Sequence, residues 1–294
     1  MKTYLDCIPC FFRQAIEASR IAGADEGTEK KIIDEIARVI LGIKLTATPP
    51  EMGKTIHNLV KKLTGKEDPY KKVKEESTKE ALKIYPEIRK KLESTGNRLL
   101  FAVELAIAGN IIDYGTKKSL NLQEELSKIL QKEEKSIKKE SEYLFNFRSF
   151  KNDVEKARNI LYVADNVGET IFDRILIEEI KRVDPAKEII YAVKEKPIIN
   201  DALREDAISA GIDKFAEIIS SGSDIPGTIL SLCSKEFLEC VERADLIISK
   251  GQGNFETLSV TGKPVYYLFM AKCAVVAKNV GSEIGDFILL KREV

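Results

Sequence analysis

Asn159-Ile160-Leu161-Tyr162-Val163-Ala164-Asp165-Asn166-Val167-Gly168-Glu169 is the stretch on which the reading of this chain turns. Its apolar run is too short for a helix and rich in β-branched and aromatic residues, so it predicts a strand buried on both faces. The run ends abruptly in acid, carboxamide and glycine, and Thr170–Val183 follows at helical spacing. Working outward, the alternation repeats. Glu188–Val193 reads as a strand and Asp201–Ala210 as a helix, Ala216–Ile219 as a strand and Lys235–Arg243 as a helix, and Asp245–Ser249 as a strand. Pro264–Phe269 and Phe287–Leu290 add further strands. Strands alternating with helices imply right-handed crossovers. The predicted fold class is α/β: a doubly wound, mainly parallel sheet with helices on both faces.

The residues before this stretch follow another pattern. From Cys7 to about Lys151 the spacing is almost wholly helical: Ile32, Ile33, Ile36, Ala37 and Ile40 mark one helix within Lys30–Leu41. Lys71–Ile84 and Leu122–Phe145 read as two more, and Pro49-Pro50 and Asp68-Pro69 mark turns. The expected organisation is an all-helical domain over residues 1–152 and a Rossmann-like α/β domain over residues 153–294 that binds metal and phosphate.

Composition narrows the function classes. Of 294 residues, 44% are apolar and 32% charged, which fits a folded globular chain. Lys plus Arg equals Asp plus Glu at 47 each, so nothing draws the whole molecule to nucleic acid or to an anionic membrane. No apolar stretch reaches a membrane-spanning length, and the first residues lack a signal-peptide pattern. A cytoplasmic location is the expectation.

Open α/β sheets bind ligands beyond the carboxyl ends of their strands. Four such ends carry Asp165-Asn166-Val167-Gly168-Glu169, Lys194 to Asp201, Ser220 to Thr228, and Lys250-Gly251-Gln252-Gly253-Asn254-Phe255-Glu256. Asp165, Asn166 and Asp201 offer only oxygen ligands, which suit a hard or borderline divalent ion such as Mg²⁺ or Mn²⁺. Lys250, with Gly251 and Gly253 to admit close backbone approach, is a candidate phosphate clamp. The plainer alternatives are a helix cap for Asp165-Asn166 and a solvated surface charge for Lys250. Four chemically similar rims in a row favour a site over four coincidental caps.

Other chemistries are disfavoured. Gly222-x-x-x-x-Gly227-Thr228 has Walker spacing without its lysine. No G-x-G-x-x-G follows the first strand, so no nucleotide cofactor is expected. The single histidine, His57, lies in the helical half, which argues against a histidine-based triad. Cys7-Ile8-Pro9-Cys10 has redox or chelating spacing, but no second pair completes a four-cysteine zinc site. Cys7 and Cys10 stand as a redox pair, part of a second metal site with Cys273, or buried thiols at a helix start.

Taken together these motifs resemble the damage-control phosphatase family, long known as a domain of unknown function, in its archaeal-type branch with an N-terminal Cys-x-x-Cys. The resemblance spans essentially the whole chain and rests on Cys7-Ile8-Pro9-Cys10, Asp68-Pro69-Tyr70, Gly109-Asn110-Ile111-Ile112-Asp113, Asp165 to Glu169, Asn200-Asp201 and Lys250 to Glu256. It implies metal-dependent hydrolysis of phosphate monoesters of small metabolites, such as sugar phosphates and related damaged or surplus compounds. A divalent ion (Mg, Mn, Co or Ni) would be held by Asp165, Asn166 and Asp201. Lys250, Gly251, Asn254 and Asn110 would meet the phosphate or substrate. Glu169 or Asp113 would shuttle the proton, and the nucleophile would be water or Asp165. The implied partner is a small phosphorylated metabolite, with a homo-oligomer left open. The rival functions are a non-catalytic phosphometabolite sensor and an S-adenosylmethionine-dependent carboxyl methyltransferase.

Overall fold

The computed structural model describes residues 1–109, 143–259 and 262–293. Five helices come first: α1 (Cys7–Ile21), α2 (Glu26–Leu41), α3 (Pro49–Thr64), α4 (Lys71–Ser94) and α5 (Arg98–Ala108). Then α6 (Phe147–Lys156) leads into β1 (Asn159–Val163), α7 (Thr170–Val183), β2 (Glu188–Val193), α8 (Arg204–Ser209) and β3 (Glu217–Ser220). The chain continues through α9 (Lys235–Arg243), β4 (Leu246–Lys250), α10 (Gln252–Thr257), β5 (Pro264–Met270), α11 (Ala274–Val280) and β6 (Phe287–Glu293). The helix expected over Leu122–Phe145 falls mostly outside the described residues. Its last part, Tyr143 to Phe145, is a turn and a bridge to Leu289.

The sheet has the order β3-β2-β1-β4-β5-β6. All neighbouring pairs are parallel except β5 with β6, which is antiparallel. The expected α/β class, with a mainly parallel sheet behind a helical N-terminal region, is therefore what forms. Pleating explains why β1 reads as a continuous apolar run. Ile160 and Tyr162 point into one core with α4, α5 and α7, while Leu161 and Val163 point into another with Phe237 and Val241 of α9 and Phe255 of α10. Helices thus cover both faces.

The helical region divides in its packing. Phe11, Ala15, Ile32, Ile36, Ile56 and Val60 build a separate core among α1, α2 and α3. By contrast, α4 and α5 contribute to the core of the sheet itself. Bonds from α3 nevertheless reach the strand-end loops, and a buried lysine of α4 reaches α8. Lys54 Nζ donates to Asp224 Oδ1 at 2.5 Å, Lys61 Nζ donates to the Pro197 carbonyl, and buried Lys74 pairs with Asp68 at 2.7 Å and with Asp206 at 3.8 Å.

Among the described residues no helix is long and apolar enough to cross a membrane. Phe150 of α6 is fully buried and meets Tyr266 of β5 edge-on, with ring centroids 5.2 Å apart. Phe150→Ala is expected to lower the unfolding free energy by about 3–5 kcal/mol. Urea denaturation checks this, and a loss below about 1 kcal/mol would show that the core closes over the gap.

Candidate functional site

β1 and β4 lie side by side, yet the chain leaves β1 toward β2 and leaves β4 toward β5. That divergence opens a crevice at their carboxyl ends, the place where such sheets bind ligands. Asp165 and Asn166 stand at the end of β1, just before a 3₁₀ turn over Val167–Glu169 that feeds α7. Lys250 ends β4, and Gly251 begins the turn into α10.

Asp201 arrives by a different route from the one its sequence suggests. The expected helix over Asp201–Ala210 starts only at Arg204, because Asp201 forms an isolated antiparallel bridge with Asn166. Val167 N–H donates to the Asn200 carbonyl at 2.9 Å and Ala202 N–H to the Asp165 carbonyl at 2.8 Å. These two bonds clip the loop after β2 onto the loop after β1. Ile199, immediately before the clip, has φ of +46°. A β-branched residue rarely adopts that conformation, and holding it costs on the order of 1–3 kcal/mol. The clip supplies bonds that hold this bend.

Gly251 answers to Asp165. Its φ is +80°, and a Cβ built there would lie 1.8 Å from Asp165 Oδ2. The carboxylate therefore rests in space that any side chain at 251 would fill. Asn254 is fully buried and works as a tie between loops. Its Nδ2 donates to the carbonyls of Ala164 at 3.0 Å and Lys250 at 2.7 Å, and its Oδ1 accepts from Thr228 Oγ1 at 2.7 Å.

Lys250 does not lie on the surface. It has no exposure, and Nζ donates to Glu169 Oε2 at 2.8 Å and to Asp173 Oδ1 at 2.7 Å. Burial works to lower its pKa, but the two carboxylates outweigh burial and hold it above the ordinary lysine value. Glu169 uses its other oxygen, Oε1, to accept from Asn166 Nδ2 at 2.8 Å, and the same Nδ2 lies 3.1 Å from Asp165 Oδ2. Both neighbours of Nδ2 are carboxylates, which accept when ionised, so the amide is oriented with Oδ1 turned away from them.

The carboxylates crowd one another. Burial raises Asp165 well above the usual carboxyl value, and the charges of Glu169 and Asp201 raise it further, against Lys272 and Lys194. Glu169 is also raised by burial, against the pull of Lys250. An excess of buried negative charge built from oxygen donors is the environment that a hard divalent cation relieves. Asp165, Asn166 and Asp201 fit such an ion when water and substrate oxygens complete its shell. Among the described residues no group of three or more His, Cys, Asp or Glu forms a ready cage for one.

Several participants were not singled out from the sequence. Buried Lys194 donates to the Gly227 carbonyl and lies 3.6 Å from Asp201 Oδ2. Lys272, on the exposed rim after β5, acts electrostatically on both Asp165 and Glu169. Asp173 was legible in principle, since it sits four residues after Glu169 and so shares its helical face. Of the expected residues, Asn110 and Asp113 lie outside the described residues. Cys7 is buried and Cys10 exposed on the first turn of α1, both free, and burial raises the Cys7 thiol above its ordinary value. Cys273 Sγ lies 3.7 Å from Gln252 Nε2.

Two outcomes follow from this packing. Gly251→Ala is expected to destabilise the fold by more than ~2 kcal/mol, from the forced φ and the displaced carboxylate together; unchanged denaturant unfolding would show that Asp165 is free to move aside. Burial also lifts Glu256 to about 7, against a hydrogen bond from Gln252. A carboxyl raised on folding contributes its full stability below the unfolded value and loses it as pH rises through the folded one. The Tm of the wild type should therefore fall between about pH 5 and about pH 8 relative to Glu256→Gln. Parallel Tm curves for the two proteins would contradict the shift.

Comparison with known proteins places the whole chain. The family model described as the damage-control phosphatase ARMT1-like domain matches residues 3–288. The damage-control phosphatase PH1575 of Pyrococcus horikoshii is 36% identical over 296 residues, covering 100% of this chain and 99% of that protein. The protein MJ0202 of Methanocaldococcus jannaschii is 41% identical over 297 residues, covering 98% of this chain and 94% of that protein. The crystal structure of PH1575, described as a DUF89 family protein, superposes with a TM-score of 0.86 at 33% identity and covers 100% of both chains. With an N-terminal Cys-x-x-Cys and archaeal relatives along its full length, the chain belongs to the damage-control phosphatase family.

Proposed function

We propose that this chain is a metal-dependent phosphomonoester hydrolase acting on small phosphorylated metabolites, with Asp165, Asn166 and Asp201 as the protein ligands of a divalent cation. The observation that carries this reading is the Asn166–Asp201 bridge. It joins oxygen donors from two strand ends beside Asp165, at the crevice where the strand order reverses. When bound, such an ion supplies Lewis acidity and charge neutralisation toward a phosphoryl oxygen.

The side chains divide the remaining work. Asp165, lodged against Gly251, and Asp201, tied by the clip, hold their oxygens in fixed positions before substrate arrives. Glu169 and Lys250 keep the Asn166 amide oriented, Lys250 serving as an inner counter-ion. Contact with the phosphate falls to cations nearer the mouth: Lys272 from the exposed loop after β5, aided by the positive charge of Lys194 next to Asp201. Positive charge on that side complements a dianionic monoester and opposes the build-up of charge during transfer. The names of the damage-control phosphatase relatives support the same reaction class.

The decisive assay is phosphate release from a panel of sugar phosphates and other small phosphomonoesters with Mg²⁺, Mn²⁺, Co²⁺ or Ni²⁺, beside an EDTA control. Asp165→Asn is expected to reduce metal-dependent release by ~10²-fold or more while the protein still folds. Near-normal turnover in that variant would remove Asp165 from the site. Tight binding of a phosphometabolite by the wild type without release would instead identify a sensor.

A further inference from the structure

Asp173 touches neither the crevice nor any proposed cation ligand, yet its carboxylate collects three hydrogen bonds behind them. It has no exposure and sits on the first turn of α7. Oδ1 accepts from Tyr162 Oη at 2.7 Å and Lys250 Nζ at 2.7 Å, and Oδ2 accepts from Tyr191 Oη at 2.8 Å. The donors come from β1, β4 and β2, three adjacent strands of the sheet. Tyr162 and Tyr191 are register partners whose rings stack at 5.3 Å.

From this anchor a continuous chain of bonds runs outward. Asp173 holds Lys250, Lys250 holds Glu169, Glu169 holds Asn166, and Asn166 Nδ2 reaches Asp165. Every member is buried. A flexible lysine stem held by a single carboxylate is free to swing, whereas two carboxylates on different turns fix its ammonium between them. Side chains behind a metal site orient its ligands, and their loss weakens metal binding though they never touch the ion.

We propose that Asp173 is a positioning residue for the cation site, acting through Lys250 and Glu169 to orient Asn166, with Tyr162 and Tyr191 fixing Asp173 in turn. The inference rests on the assignment of Asp165, Asn166 and Asp201 to the cation. Its consequence is that the affinity of the site for a divalent ion is set partly by two tyrosine hydroxyls buried in the sheet.

Mn²⁺ alone is the probe, titrated by electron paramagnetic resonance against the full-length protein. Asp173→Asn is expected to weaken binding by about tenfold or more, and Tyr191→Phe to weaken it in the same direction by less. In a Lys250→Met background, Asp173→Asn is expected to add no further loss, because its route to the site has been removed. A purely structural role would lower Tm and leave Mn²⁺ affinity within about twofold of wild type, and that result in folded Asp173→Asn overturns the proposal. If Asp173→Asn fails to fold, Tyr191→Phe decides, and unchanged affinity there overturns it equally. Wild-type protein that binds Mn²⁺ but releases no phosphate defeats the hydrolase reading and leaves this one standing. Wild-type protein that binds no Mn²⁺ overturns both.

Discussion

A lysine ammonium sealed from water at the end of β4 organises the centre of this molecule. Removing such a charge from water costs several kcal/mol even after relaxation, so Lys250 is tolerable only because Glu169, at the end of the turn before α7, and Asp173, in its first turn, both reach it. Those bonds fix how the first helix after β1 sits against β4. They also fix the angle at which the chain leaves β1, since Glu169 ends the turn that joins strand to helix. The position of Asp165 and Asn166 depends on that turn.

Around the lysine the balance of charge is uneven. Two carboxylates share one ammonium, and Asp165 and Asp201 add further negative charge a short distance away. Burial raises both Asp165 and Glu169 above the usual carboxyl value, and this excess of buried negative charge is what the proposed cation would relieve. The strained backbone at Ile199 and the tight lodging of Asp165 against Gly251 belong to the same picture. Local conformations that a chain would otherwise avoid persist here because the loop clip and the buried bonds over-determine them.

Much of the fold was legible because its signals are local. Thr170–Val183, Glu188–Val193 and Lys235–Arg243 form over the expected residues, since helical periodicity and short buried runs report on which faces meet a core. The elements that differ are those whose state depends on a distant partner. Asp201 to Leu203 stay out of α8 because Asn166 claims Asp201 as a bridge partner. β6 runs antiparallel, a direction that its apolar residues cannot encode. The strand-end loops marked a candidate site by composition, yet the same composition could not separate a surface lysine from one sealed among carboxylates.

The sequence by itself determined the class of the fold and the oxygen-rich residues at the carboxyl ends of its strands. Each of these follows from patterns confined to a few consecutive residues. Tertiary structure alone decided that Asp201 meets Asn166, that Lys250 faces inward to Glu169 and Asp173, and that Tyr162 and Tyr191 stand behind them. Those facts depend on the order in which parallel strands assemble. Strand order brings Lys250 to Glu169 and Asp173, 81 and 77 positions before it, and no local spacing records that meeting.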